Sequence, residues 1–142
     1  MNASPPQNDP TTEAMVILEA EEMNKLRASQ SARRQAESLA LEAEESAAAA
    51  KAKQKEAETK YAAAKHGILY NPAVTAENFA QALDIRANCQ RAAQEARDDA
   101  QEKATTAQRV RESANKIIAQ AEAEESKLEK ERLARFTKNE AR

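Results

Sequence analysis

Tryptophan is missing from the 142 residues, and only two Tyr and two Phe stand in for it. A globular core draws on bulky aromatic and branched side chains, and this chain has few. Its 41% hydrophobic content is largely alanine. Burial stabilises by roughly 25 cal/mol per Å² of apolar area, so each alanine contributes little. Glycine occurs once, at Gly67, which excludes a Gly-rich phosphate-binding loop. Cysteine and histidine also occur once each, at Cys89 and His66. An internal disulfide is excluded, and neither residue has a like neighbour with which to build a metal site. Cys89 reads as a small buried hydrophobe and His66 as an exposed turn residue. Apolar runs of the roughly 18 residues needed to span a bilayer are absent. Neither charge sign dominates: 22 Lys and Arg oppose 24 Asp and Glu, for a net charge of −2. Without a basic stripe, nucleic acid is a weak candidate partner.

What remains is rich in Ala, Glu, Gln, Lys and Arg, the composition of long helices. Three of the four prolines lie in the first ten residues, Pro5, Pro6 and Pro10. Residues 1–10 therefore read as an extended or disordered arm. Asp9-Pro10-Thr11-Thr12-Glu13 has the chemistry of a helix start: a capping side chain, a proline at the first turn and an early carboxylate. A first helix is predicted over 11–66, about 80 Å of rod at ~1.5 Å per residue. Gly67 suits the left-handed position that ends a helix, Asn71-Pro72 is a turn signal, and Thr75 can cap a second helix. The connection is thus expected over 67–74, the second helix over 75–138 and a short tail over 139–142.

Both helices carry a heptad seam. In the first, steps of four and three give Ala36, Ala40, Ala43, Ala47, Ala50, Gln54, Ala57, Tyr61 and Ala64. A slip of phase is expected near Glu19 and Glu22, where the ladder is polar. In the second, the seam runs through Phe79, Ala82, Arg86, Cys89, Ala93, Ala96, Ala100, Lys103, Ala107, Val110, Ala114, Ile117, Ala121, Glu124 and Leu128. Folding the chain between Asn71 and Pro72 sets Ala50 against Ala93, Ala43 against Ala100, Leu26 against Ile117, Met15 against Leu128 and Ala64 against Phe79. The fold class expected is all-α: an antiparallel two-helix coiled-coil hairpin with an alanine-rich seam, part of a larger bundle or assembly.

Larger apolar side chains gather in two places. One holds Met15, Val16, Ile17, Leu18, Met23 and Leu26 with Ile117, Ile118, Leu128, Leu133 and Phe136; the other holds Tyr61, Ile68, Leu69, Tyr70, Val74, Phe79, Leu83 and Ile85. Met15 to Leu18 are consecutive, so they cover more than one helix face and more than a two-helix seam needs. Met15, Val16, Ile17, Leu18, Ile68, Leu69, Tyr70, Phe79 and Phe136 are accordingly the expected partner-docking residues.

The search for chemistry is brief. Catalysis needs converging groups on a scaffold that excludes water, and no such set is present in the sequence, so no enzyme activity and no cofactor is expected. The clusters Glu42, Glu44, Glu45 and Glu122, Glu124, Glu125 lack the Glu-x-x-His pairing of carboxylate-bridged metal bundles and read as solvated faces. Arg33, Arg34, Arg109 and Arg111 are candidates for a small basic collar, with ion pairing to Glu37 and Glu112 as the simpler reading. An alanine face has low affinity for lipid, so a membrane role is not expected. Residues 1–10 lack the basic and apolar regions of a secretory signal, which favours an intracellular setting or a viral particle.

The chain thus reads as a non-enzymatic structural strut or interaction module in a multi-subunit particle, a virion or similar complex, pairing with itself or with other proteins. The alternatives are a coiled-coil adaptor or chaperone for secretion or assembly clients and a weak nucleic-acid binder. Its plan resembles that of the stalk proteins of flagellar and type III secretion export, and of helical structural and scaffolding proteins of bacteriophages. The resemblance is one of plan alone, with no motif residues.

Overall fold

The computed structural model describes residues 10–70 and 72–140, with the side chains of residues 10–11, 69–70 and 139–140 left aside. The expected arm, apart from Pro10, and the last residues of the expected tail lie outside the described residues. Two helices, α1 (Pro10–Tyr70) and α2 (Phe79–Glu140), pack against each other, and no strand occurs among the described residues. The all-α, two-helix arrangement matches the expected helical pair.

The connection differs from the sequence expectation. Gly67 does not end α1: its backbone is helical with no positive φ, and the helix continues for another three residues to Tyr70. A single glycine lowers helix stability but does not forbid the conformation, and good helix formers precede it. Thr75 does not cap α2 either. Residues 76–78 form a turn, and Asn78 directly precedes α2, its carbonyl accepting from the Ala82 N–H at 2.9 Å. The Asn78 side chain closes the turn from both sides. Its Oδ1 accepts the Thr75 N–H at 2.6 Å and its Nδ2 donates to the Ala73 carbonyl at 3.1 Å. Asparagine outcompetes threonine here because one amide supplies both an acceptor and a donor to the turn backbone.

The helices divide into two compact units. The first joins α1 up to Ser38 with α2 from Ser113. Its buried residues are Ser29, Ala36, Ala114 and Ala121. The second spans Leu39–Glu112 and buries Ala40, Ala50, Ala93, Ala100 and Ala107. No large side chain is fully buried among the described residues.

In α1 Met15, Glu22, Leu26, Ser29, Arg33 and Ala36 lead into the alanines and each is buried or half-buried, while Glu19, the seam position between Met15 and Glu22, is exposed. The ladder is thus interrupted at Glu19, within the stretch near Glu19 and Glu22 where a phase slip is expected, and resumes at Glu22, whose carboxylate is taken up by an arginine of α2. In α2 the seam holds from Ala82 to Ala114. Beyond it, Ile118 and Glu125 are half-buried in place of the expected Ile117 and Glu124, which are exposed. An α-helix of 3.6 residues per turn drifts by about 20° per heptad against a 3.5-residue repeat. By this stretch the neighbouring position has turned toward α1.

The expected register is displaced by one to two heptads. In the second unit Glu44 pairs with Arg111, where that register places Asp99, and Glu58 pairs with Arg97, where it places Ile85. Phe79, expected opposite Ala64, is exposed. Alanine against alanine packs equally well after a shift of one heptad, so the small side chains alone do not select the alignment.

Candidate interaction surface

The side chains that distinguish one alignment from another are ionic. In the first unit the Glu22 carboxylate meets the Arg135 guanidinium through two contacts: Oε1 with Nη1, and Oε2 accepting from Nη2 at 2.6 Å. The Glu22 side chain is only 13% exposed. Three residues on from Leu26, the buried Ser29 hydroxyl donates to the Ala121 carbonyl at 3.0 Å. Arg33 Nη2 donates to Glu125 Oε1 at 3.0 Å, while its buried Nε has no hydrogen-bond partner. In the second unit Arg111 Nε donates to Glu44 Oε1 at 2.6 Å, and Arg97 reaches Glu58 Oε1 through Nη2 at 3.1 Å and Nε at 3.3 Å.

These contacts set the acidity of the carboxyls. The Arg135 hydrogen bond holds Glu22 below the ordinary value of 4.5, against the opposing effect of burial, with the charges of Arg135, Arg132 and Lys25 adding to it. Glu44 is lowered by the hydrogen bond from Arg111. Glu58 is lowered first by the amide of Gln54, which donates at 3.1 Å, and then by Arg97. Arg135 is raised from its ordinary value by the hydrogen bond to Glu22.

Of the residues expected in a basic collar, Arg33 and Arg111 each carry a carboxylate from the other helix, Glu125 and Glu44. Of the two glutamate clusters, Glu44 and Glu125 are thereby engaged, and Glu42, Glu45, Glu122 and Glu124 are exposed. Among the described residues no group of three or more His, Cys, Asp or Glu could hold a metal ion. Cys89 is half-buried on the seam side of α2, and His66 lies on an exposed position of α1.

The expected docking residues fall into two sets. In the first unit Val16, Ile17 and Phe136 are 61%, 59% and 62% exposed, Leu18 is less so, and Met15 is half-buried. In the second unit Phe79 is exposed and Ile68 half-buried; the side chains of Leu69 and Tyr70 lie outside the described residues. Met23 and Leu133 belong with the first set, being exposed in the same unit. Leu39 and Leu41 were not expected as surface features: both are exposed, one on each side of the fully buried Ala40. Their signal was in plain view, two bulky residues flanking a seam alanine in a stretch otherwise polar or small.

Among the open grooves of the first unit, two are lined by large apolar side chains of both helices. One, of about 610 Å³, is lined by Val16, Ala20, Met23, Leu26 and Leu128 together with Glu19, Glu22, Glu125, Glu129 and Arg132. The other, of about 590 Å³, is lined by Met15, Leu133 and Phe136 and shares Glu19, Glu129 and Arg132 with the first. The arrangement offers apolar area together with charges of both signs. Among the described residues, no helix is long and apolar enough to cross a membrane.

No protein-family model matches the chain, no curated protein matches it, and no solved structure matches it. The class reached here, a pair of helices with an alanine core and an exposed apolar surface, rests on its own residues.

Proposed function

We propose that this chain is a non-enzymatic helical interaction module, an antiparallel coiled-coil hairpin that serves as a strut in a multi-subunit assembly such as a virion or a comparable particle. One observation carries the reading. Val16, Ile17, Leu133 and Phe136 stand more than half exposed on a pair of helices whose own buried residues are alanines and one serine. Exposed apolar surface of this kind marks a site of association, and an alanine core leaves the pair dependent on further burial. Support for the antiparallel direction comes from the ion pairs of the second unit. As α1 advances from Glu44 to Glu58, the partner in α2 retreats from Arg111 to Arg97.

The test is site-specific photo-crosslinking in the native host, with the photoreactive residue at Phe136 and, as a control, at the exposed Gln101 of the second unit. A discrete protein adduct from position 136, absent from position 101, is expected. Equal or absent labelling at both positions would remove the interaction surface from the account.

A further inference from the structure

The groove floored by Val16, Met23, Leu26 and Leu128 calls for an occupant, and its surroundings narrow the choice. Val16, Ala20 and Met23 follow one another at i, i+4 and i+7, directly beside the seam residues Met15 and Glu22. They extend the seam of α1 sideways into a second helical stripe, which fits a further helix laid into the groove. Four carboxylates and one guanidinium line it: Glu22 and Glu125 are already engaged by Arg135 and Arg33, which leaves Glu19, Glu129 and Arg132 as a rim of both signs. A rim of one sign would select an oppositely charged partner. A rim with both signs complements itself when a copy is turned about a two-fold axis, because each Arg132 can then meet the other copy's carboxylates. The net charge of −2 adds little repulsion between copies.

We infer that the occupant is a second copy of this chain, joined through the first unit of each so that two helix pairs complete one four-helix core. This rests on the reading of the chain as an interaction module and names its partner.

Light scattering on the full chain tests it. Twice the 15.6 kDa chain mass is expected, falling to the chain mass on dilution. Two charge variants then probe the rim: Arg132→Glu, and Glu19→Arg with Glu129→Arg. Each alone should lose at least about tenfold in self-affinity, a change of about 1.4 kcal/mol, while an equimolar mixture recovers the doubled mass. Val16→Ser with Met23→Ser should also dissociate the pair with helicity retained by circular dichroism. A single-chain mass at every concentration, a mixture that fails to recover, or a dimer indifferent to all three variants would each overturn the second copy as occupant. A single-chain mass together with a Phe136 crosslink to a different protein would overturn self-association alone and leave the interaction reading intact. The charge variants keep the test decisive if the serine variant fails to fold.

Discussion

Replacing Gly67 by alanine should make the protein more stable. Gly67 lies inside α1, has no positive φ, and an added Cβ would meet no atom within 4 Å. The substitution therefore introduces no clash and relieves the entropic cost of a helical glycine, worth roughly 0.5–1 kcal/mol. Because the position is three residues from the end of α1, the lower half of that range applies, about 0.5 kcal/mol. For a chain of this size such a gain raises the melting temperature by about 1–2 °C. Urea unfolding followed at 222 nm, with an unchanged slope and a higher midpoint, is the assay. Gly67→Asn sharpens it. In a helix the order of stability is Ala above Asn, with Asn near Gly; in a left-handed helix cap it is Gly above Asn above Ala. A fall in stability for Gly67→Ala, with Asn intermediate, would show that α1 ends at Gly67 and refute the continuous helix.

Two further predictions concern the seam and its ion pairs. Glu22, Glu44 and Glu58 have carboxyls lowered in the folded state, so their contribution is complete above the ordinary value of 4.5 and is lost as pH falls below it through the lowered values. The melting temperature should drop across that acid range, and Glu22→Gln with Glu44→Gln and Glu58→Gln should flatten the drop; an unaltered acid limb would remove these pairs from the stability account. Ala40 is fully buried in the second unit, so Ala40→Leu should destabilise by about 1–3 kcal/mol through overpacking, whereas the same change at the exposed Ala48 should stay within about 0.5 kcal/mol. Equal effects at the two positions in chemical denaturation would mean that the alanines are not in close contact.

Much of this architecture is legible in the chain, and the parts that are not have specific physical reasons. The alanine heptads of α1 identify its buried stripe from Ser29 to Ala64, because burial follows helical periodicity. The exposure of Val16, Ile17 and Phe136 is legible for a related reason: consecutive or off-stripe bulky residues have no place in a two-helix seam. The connection was misplaced by local chemistry that points the wrong way. Gly67 permits a left-handed turn without requiring one, and Thr75 competes with an asparagine three residues later that can bond the turn at both ends. Register was illegible for a deeper reason. It depends on which long side chains can reach each other across the helices, and nothing in the spacing of alanines records that. Arg111 and Glu44 are ordinary surface residues until the alignment is known.

The alanine seam has a consequence for how such a chain can change over generations. A core of interlocking large side chains records its alignment many times over, and altering one member only strains it. Here the steric part of the message repeats with each heptad and is nearly silent about position, while the alignment is spelled by a few arginine–glutamate pairs and one serine. Substitutions at those few sites act as edits to an address rather than as damage to a structure. A lineage could rewrite the alignment of the two helices by exchanging surface charges, with every alanine left in place.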